Sequence, residues 1–368
     1  MDIALIICYL LFICLAVYVM KKCSSSFDVA SNFLTQNLGE GIKGPTINAI
    51  ASSLPELFIS SMFLFYYQNI EGFSAGFATI IGSSAFNIAI IPVISFLYIY
   101  RKSKKSEAFE INKLIIKQDT FFLLGSIVIL LLGFFIGINL YLALFLILFY
   151  FLYIFFLIKK RSKIKKDNLS TKINVYKKEN TFLSSLLNLD IFSLFFKGKV
   201  AKTSSFFVII ISIFIIGFSC YWLVHWIELI AQKLGINLFF CAFIIAAIGS
   251  SVPDTILSIQ DAKNHKFSDS FSNAYGSNIF DICIGIGLPV FVYSLIFSPI
   301  EVGSFERLDI GFLGNYVFEG NLFIWSLFSL FIFTVIVSYI YYKKNLKLNT
   351  SFQILMLYIL FVVSLILY

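Results

Sequence analysis

Two stretches of the sequence follow nearly the same pattern: residues 49–56 read Ala-Ile-Ala-Ser-Ser-Leu-Pro-Glu, and residues 247–254 read Ala-Ile-Gly-Ser-Ser-Val-Pro-Asp. We call them the first and second proline motifs. Each precedes another polar stretch, Gly-Ser-Ser-Ala-Phe-Asn at 82–87 and Gly-Ser-Asn-Ile-Phe-Asp at 276–281, and we call these the first and second glycine–serine motifs. Hydroxyls, a proline and a carboxylate are costly inside an apolar membrane segment, so they indicate an ion or substrate pathway. Because they occur in two copies, the sequence predicts a transporter built from repeats.

The composition predicts an all-α polytopic membrane protein. Hydrophobic residues make up 59% of the 368 residues and charged residues only 13%, which is more apolar surface than a soluble domain can bury. The net charge of +8 comes from basic residues in short loops beside apolar spans. This pattern reflects membrane topology, so the lipid bilayer is an expected partner and nucleic acid is not. The polar motifs point to inorganic cations as the other expected partners. The six cysteines include no Cys-x-x-Cys pair, so neither a disulfide framework nor a zinc site is expected.

A membrane-spanning helix needs about 20 predominantly apolar residues. On that rule the sequence predicts ten transmembrane helices, at residues 3–20, 43–67, 73–100, 119–137, 139–158, 205–231, 237–260, 269–298, 321–342 and 350–368. With the N-terminus outside, 26 of the 28 Lys and Arg residues fall in inner segments, as the positive-inside rule requires. Both termini are therefore expected on the extracytoplasmic side. Asp2 before the first span and Lys21-Lys22 after it reverse the charge order of a cleavable signal, so this helix is expected to be retained.

The ten spans divide into two halves of five. Because five is an odd number, the two proline motifs enter the membrane from opposite sides, and the halves are expected to be inverted repeats. The first half covers residues 1–158, with its repeat at about 46–90. The second half covers residues 205–368, with its repeat at about 244–290.

A basic linker at residues 159–204 joins the halves on the cytoplasmic side. Within it, residues 182–196 are expected to be plain loop, and an amphipathic helix on the membrane surface is the alternative. The sequence does not distinguish the plasma membrane from an internal membrane.

The motifs offer a set of oxygen ligands with helical spacing. On an α-helix, positions i, i+3, i+4 and i+7 share one face. Residues with such spacing are Ala49, Ser52, Ser53 and Glu56, then Ala247, Ser250, Ser251 and Asp254, and the pairs Ser83–Asn87 and Ser277–Asp281. Pro55 and Pro253 lack an N–H and free carbonyls about one turn earlier. Such oxygen atoms suit hard cations such as Ca²⁺ and Na⁺, and protons compete for buried carboxylates.

These motifs resemble the two α-repeats of the cation/calcium exchanger superfamily, and most of all those of its sodium/calcium exchangers. The second repeat, which runs from Gly249-Ser-Ser-Val-Pro-Asp254 through Gly276-Ser-Asn-Ile-Phe-Asp281, is most similar to the potassium-dependent branch. The resemblance covers the whole chain at the level of topology. It implies secondary active antiport of Na⁺ against Ca²⁺ by alternating access, with no enzymatic activity and no cofactor, and it leaves open whether K⁺ moves with Ca²⁺.

The resemblance also implies roles for individual residues. Glu56 and Asp254 are the implied central Ca²⁺ ligands, shared with Na⁺. The implied Na⁺ ligands are Ser53, Ser83, Ser251 and Ser277, the carbonyls of Ala49 and Ala247, and hydroxyl or backbone oxygens of Ser52 and Ser250. Asn87 and Asp281 complete the ring, and Asp281 occupies the position linked to K⁺ in the potassium-dependent branch.

Two alternative functions stay open at this point. A Ca²⁺/H⁺ exchanger belongs to the same class, but its typical Gly-Asn-x-x-Glu motif is absent from the polar stretches quoted above. A more remote alternative is an intramembrane aspartyl protease, because such enzymes also use paired acids in membrane helices. Here one acid of the pair, Glu56, is a glutamate, and neither acid has the sequence context of those enzymes.

Overall fold

The computed structural model of the chain describes residues 2–34, 49–103, 111–161, 182–196, 198, 200–297 and 318–367. The regular secondary structure of these residues is helical. Within these ranges, nine helices are long and apolar enough to cross a membrane. This agrees with the expectation of an all-α polytopic membrane protein. The predicted start of the second span, at residues 43–48, lies outside the described residues.

The first half begins with a helix that is longer than expected. Its helices are α1 (Asp2–Leu34), α2 (Ala49–Ser52), α3 (Leu54–Tyr67), α4 (Ile70–Ser103), α5 (Lys113–Ile136) and α6 (Leu140–Arg161). The prediction that the first helix ends near residue 20 is wrong, because α1 continues past Lys21-Lys22. Cys23, Phe27 and Ala30 lie on one face of this extension and are buried. This packed apolar face continues the helix past the two lysines, which do not end it.

Two short helices lie in the linker, α7 (Phe182–Leu187) and α8 (Ile191–Phe196). The expectation of plain loop for residues 182–196 is therefore wrong, and the alternative of a single helix is interrupted at Leu189, whose φ is +48°. Ile191 and Phe192 are buried. Lys22 of α1 donates a hydrogen bond from Nζ to Asn188 Oδ1 at 3.2 Å. These contacts hold the segment against the C-terminal half of α1.

The second half contains the remaining helices. They are α9 (Lys202–Leu234), α10 (Leu238–Cys241), α11 (Ala247–Ser250), α12 (Val252–Lys263), α13 (Phe267–Phe280), α14 (Gly287–Ile296), α15 (Phe318–Lys343) and α16 (Leu348–Ile366). Two π-helical segments, Ala242–Ala246 and Asp281–Ile286, connect α10 to α11 and α13 to α14. Helices α1 and α9 pack along each other, and the motif-bearing helices α3, α4, α12 and α13 pack together.

Both proline motifs interrupt a helix. The chain leaves α2 and starts α3 around Ser53, and it leaves α11 and starts α12 around Ser251. Pro55 and Pro253 lie in the first turns of α3 and α12, where the missing N–H costs no intrahelical bond. Helix α3 has only 14 residues, so in the described part of the chain this predicted span is shorter than the nine helices that are long enough to cross a membrane.

Hydroxyls from the opposite half satisfy the carbonyls that two other prolines release. Pro92 lies inside α4, so it cannot bond the Ile88 carbonyl one turn earlier. The Tyr341 hydroxyl of α15 donates to that carbonyl at 3.0 Å. Pro289 of α14 likewise cannot bond the Gly285 carbonyl one turn earlier. That carbonyl accepts a hydrogen bond from Ser60 Oγ of α3 at 2.6 Å instead. Each half thus supplies a donor to the backbone of the other.

Candidate functional site

Every residue that the sequence predicted for the site is buried where the two halves meet. None of them is more than 1% exposed: Ala49, Ser52, Ser53, Glu56, Ser83, Asn87, Ala247, Ser250, Ser251, Asp254, Ser277 and Asp281. In the first half they lie on α2, α3 and α4, with Ser53 at the break between α2 and α3. In the second half they lie on α11, α12, α13 and the start of the π-helical segment after α13, with Ser251 at the break between α11 and α12. The site is closed to solvent in this conformation.

Glycine allows the two halves to approach closely at the site. A Cβ atom on Gly82 of α4 would lie 2.3 Å from the Phe243 carbonyl oxygen and 2.7 Å from Ala247 Cβ. No side chain fits at those distances, so the absence of a Cβ permits this contact. It also brings Ser83, the next residue, to the second proline motif.

Within each half, a serine of the glycine–serine motif bonds the acid of the proline motif. Ser83 Oγ donates to Glu56 Oε1 at 3.2 Å. Ser277 Oγ donates to Asp254 Oδ1 at 2.7 Å. The same contact thus occurs once in each half, as the paired motifs predict.

Serine hydroxyls also connect one half to the other. The Oγ atoms of Ser83 and Ser251 are 3.0 Å apart, and those of Ser52 and Ser277 are 3.5 Å apart. Each pair joins a glycine–serine motif to the proline motif of the opposite half. The four hydroxyls therefore belong to one polar cluster.

Asn87 joins the two acids of the proline motifs into one network. Its Nδ2 donates to Asp254 Oδ2 at 3.0 Å and to Asn278 Oδ1 at 3.0 Å. It also lies 3.4 Å from Ser83 Oγ, the hydroxyl that bonds Glu56. The Asn87 side chain therefore bridges the two halves through its NH₂ group.

The two alanine carbonyls assigned as ligands are engaged in hydrogen bonds in this conformation. Each accepts the backbone N–H four residues later, at 2.9 Å for Ala49 and 3.1 Å for Ala247. Each also accepts the hydroxyl three residues later, from Ser52 at 3.3 Å and from Ser250 at 3.2 Å. A carbonyl oxygen has two lone pairs, so these serines must rotate before either carbonyl can bind a cation.

Several buried oxygen atoms of the site have no hydrogen-bond partner among the described residues. They are Ser53 Oγ, Glu56 Oε2, Asn87 Oδ1 and both carboxylate oxygens of Asp281. A buried polar oxygen without a partner is unfavourable, and a buried unpaired carboxylate much more so. Cations or protons that bind these atoms relieve that cost.

The carboxylates alone do not enclose a metal ion. In the described part of the chain, no three His, Cys, Asp or Glu side chains come close enough to share one. The acids are linked instead through serine hydroxyls and the Asn87 amide. A bound cation here needs hydroxyl and amide oxygens as well as carboxylates, which is a donor set for Na⁺ and Ca²⁺ rather than for zinc or copper.

One residue of this network has no role in the sequence prediction. Asn278 accepts the hydrogen bond from Asn87, and its own Nδ2 donates to the Ser84 carbonyl at 2.9 Å. The available signal was its position in the second glycine–serine motif, which corresponds to Ser84 in the first. Its side chain completes the contact between α4 and α13.

A comparison with protein families covers nearly the whole chain. The family described as "Sodium/calcium exchanger protein" matches residues 3–159 and 204–367. Both motif pairs lie within the matched ranges, and most of the basic linker lies between them.

Among curated proteins, similar sequences are sodium/potassium/calcium exchangers. The chain is 37% identical over 91 residues to sodium/potassium/calcium exchanger 2 of Gallus gallus, which is 24% of this chain and 14% of that protein. It is 36% identical over 107 residues to sodium/potassium/calcium exchanger 1 of Bos taurus, which is 28% of this chain and 9% of that protein. These matches therefore span only a small part of the relatives' length.

Several solved structures share the fold. The H⁺/Ca²⁺ exchanger CAX gives a TM-score of 0.64 at 16% identity, over 97% of this chain and 81% of that chain. The sodium–calcium exchanger NCX_Mj gives 0.58 at 21% identity, over 97% and 98%. Native YfkE gives 0.63 at 16% identity, over 98% and 92%.

Proposed function

Because the chain belongs to the sodium/calcium exchanger protein family, we propose that it is a secondary active antiporter that exchanges Na⁺ for Ca²⁺ across a membrane. The observation that carries the proposal is the buried cluster of oxygen atoms between the halves, which includes Glu56, Asp254 and Asp281. Acids at membrane depth cost about 3 kcal/mol each even by the lowest scale. They are retained where a transported cation binds them.

The proposed Ca²⁺ ligands are Glu56 and Asp254, whose two charges match the charge of the ion. Both acids accept a serine hydroxyl of their own half, so the hydroxyls are placed to join the carboxylates around a cation. When Na⁺ replaces Ca²⁺, the smaller charge per ion favours several sites. We assign them to Ser53, Ser83, Ser251 and Ser277, to the carbonyls of Ala49 and Ala247, and to oxygens of Ser52 and Ser250.

The proposed architecture is two inverted halves of five spans each, with both termini on the extracytoplasmic side. The paired contacts of the two halves support it, since each acid bonds a serine of its own half and each half donates a hydroxyl to the other's backbone. In the proposed cycle, the helices around this shared site rock so that it opens to one side at a time. Bound cations neutralise the carboxylates and permit the change.

The third acid decides which additional ion takes part. Asp281 is fully buried and within electrostatic reach of Glu56 and Asp254, and its two oxygens lack hydrogen-bond partners among the described residues. Its charge exceeds what one Ca²⁺ balances, so it requires another cation or a proton. We propose K⁺, co-transported with Ca²⁺, as that cation, in keeping with the sodium/potassium/calcium exchangers that the chain resembles in part.

The test is the ion dependence of Ca²⁺ flux in proteoliposomes that contain the purified protein. Vesicles loaded with Na⁺ and diluted into Na⁺-free buffer at equal pH should take up radiolabelled Ca²⁺, whereas protein-free vesicles should not. A titration of external K⁺ in the same assay should stimulate uptake in a saturable manner.

Other outcomes of this assay separate the alternatives. If only a pH gradient drives Ca²⁺ uptake and a Na⁺ gradient does not, the protein is a Ca²⁺/H⁺ exchanger and the Na⁺ proposal is wrong. If Na⁺ drives uptake equally well at every K⁺ concentration, the proposal of K⁺ co-transport is wrong and the rest stands.

A further inference from the structure

A buried amide lies one turn from the central site, in the second half. Asn273 of α13 is fully buried, and its Nδ2 donates to Ser258 Oγ of α12 at 3.2 Å. Its Oδ1 atom has no hydrogen-bond partner among the described residues. The same is true of Ser270 Oγ, three residues earlier on the same face of α13. An amide oxygen and a hydroxyl oxygen are thus available in the protein interior.

These atoms lie about one helical turn from Asp254, the acid of the second proline motif. Ser258 follows Asp254 by four residues on α12, and Asn273 precedes Ser277 by four residues on α13. Because residues four apart share a helix face, the Asn273–Ser258 pair is stacked about 6 Å from the Asp254–Ser277 pair. Beyond it, α12 and α13 run toward their connecting turn at residues 264–266, on the proposed inner side.

A carboxyl group of a neighbouring helix contacts α13 at the residue before Asn273. Ser272, adjacent to Asn273 in the chain, donates to Asp119 Oδ2 of α5 at 2.5 Å. The other oxygen of Asp119 accepts the Tyr153 hydroxyl at 3.3 Å, and Asp119 is fully buried. Because neighbouring residues of a helix do not face each other, this contact holds α13 against α5 while Asn273 bonds Ser258 of α12.

The corresponding positions of the first half offer no such oxygen atoms. Ser60, which corresponds to Ser258, donates its hydroxyl to the Gly285 carbonyl. Thr79, which corresponds to Asn273, donates to the Ala75 carbonyl of its own helix at 2.9 Å. The counterpart of Ser270 is Gly76, where a Cβ would lie 3.0 Å from the Ser60 backbone. The first half is therefore tightly packed at these corresponding positions, which lie on the proposed outer side of the site, while the second half presents available oxygen atoms on the proposed inner side.

We propose that Asn273 Oδ1, with the hydroxyls of Ser258 and Ser270, forms a second binding site for the transported Na⁺ or Ca²⁺, on the inner route to the central site. This inference rests on the proposed function. A cation that leaves Asp254 toward the inner side exchanges carboxylate for amide and hydroxyl oxygens before it regains its full hydration shell. The first half has no equivalent site, so the two access routes differ.

The test compares Asn273→Ala with the matched change Thr79→Ala in proteoliposomes. Protease cleavage of the basic linker shows which way the protein is oriented in the membrane. The Asn273→Ala variant should raise the half-saturating Ca²⁺ concentration on the inner side about tenfold, because the loss of one polar contact to a charged group weakens binding by about that factor. The outer value should stay unchanged. Asn273→Asp, which keeps an oxygen ligand and adds charge, should restore the inner value. Thr79→Ala should alter neither side.

The outcomes distinguish this inference from the proposed function. If the native protein exchanges no cations, the proposed function itself is wrong. If it exchanges them and Asn273→Ala changes both sides equally, Asn273 acts through the central site and the second site is refuted. If Asn273→Ala changes neither side, or Thr79→Ala has the same effect as Asn273→Ala, the atoms near Asn273 bind only water and the inference is wrong.

Discussion

The two glycine–serine motifs occupy equivalent places in the halves, but the residues that end them behave differently. Asn87 lies in regular α-helix and donates its amide protons to Asp254 and Asn278. Asp281 begins a π-helical segment, and neither of its oxygens has a hydrogen-bond partner among the described residues. Asn87 therefore joins the two halves, whereas Asp281 presents a buried carboxyl group that has no hydrogen-bond partner among the described residues.

The backbone that follows the two residues differs as well. A π-helical segment adds a residue to the turn and shifts the following side chains out of α-helical register. Asp281 itself still donates its backbone N–H to the Ser277 carbonyl, so it keeps the α-helical relation to its serine that Asn87 has, and the shift acts on the residues after it. Such segments are frequent at functional sites. The two halves thus share a ligand pattern and differ at the one position where an additional ion is proposed to bind.

The largest expected effect on transport concerns the acid that each half contributes from its proline motif. Glu56→Gln and Asp254→Asn should each reduce Na⁺-driven Ca²⁺ uptake about a hundredfold or more, because removing one partner from a buried charged set costs about 3–5 kcal/mol. Uptake into proteoliposomes measures the loss. Glu71→Gln, at an exposed acid in the first turn of α4, is the control and should transport normally. Normal transport by either acid variant would mean that the halves do not contribute equally to one site.

A second prediction exchanges the residues in which the halves differ. Asp281→Asn should reduce uptake about tenfold at low K⁺, since the third carboxylate then no longer attracts a cation. The double variant Asn87→Asp, Asp281→Asn restores the total charge, but we expect no recovery. Asn87 Nδ2 lies 3.0 Å from Asp254 Oδ2, and a carboxylate in its place repels that acid. The K⁺ dependence of Ca²⁺ uptake in both variants checks this.

Recovery in the double variant would change the comparison. It would mean that the site senses only the number of carboxylates, and that the bonds from Asn87 to Asp254 and Asn278 contribute little. Asn278→Ala, which removes one of those bonds without a change of charge, then serves as the control. It should weaken uptake less than Asp281→Asn does.

Much of this arrangement could be predicted from the sequence because it depends on local pattern. Apolar length located most of the spans, and the repeated motifs identified oxygen-bearing side chains that lie buried together, including Ser83 and Ser277. The continuation of α1 to Leu34 could not be predicted, because a packed face of Cys23, Phe27 and Ala30 overrides the charge signal of the lysines before it.

Contacts between distant segments were equally inaccessible. The role of Asn278 depends on α4 lying against α13, and a single residue in a motif does not report its partner. The π-helical segments leave no distinct pattern in the composition of residues 242–246 and 281–286. Tertiary packing determines them, and it also determines which hydroxyl reaches which proline-released carbonyl.

The smallest expected effect concerns those reciprocal hydroxyls. Ser60→Ala removes the donor to the Gly285 carbonyl, and Tyr341→Phe removes the donor to the Ile88 carbonyl. Each change leaves a buried carbonyl with an unfilled acceptor position, at a cost of about 1–3 kcal/mol. Thermal unfolding of the purified protein in detergent should report a lower melting temperature for both variants.

Ser61→Ala is the matched control for this pair. Ser61 Oγ donates to the Leu57 carbonyl of its own helix at 2.6 Å, a carbonyl that the helix ladder already satisfies, so its loss should have little effect on the melting temperature. Equal losses for Ser60→Ala and Tyr341→Phe would mean that each half stabilises the other through one hydroxyl. If only Ser60→Ala lowers the melting temperature, the mutual support is one-sided, because the π-helical segment of the second half then depends on the first half and α4 does not depend on α15.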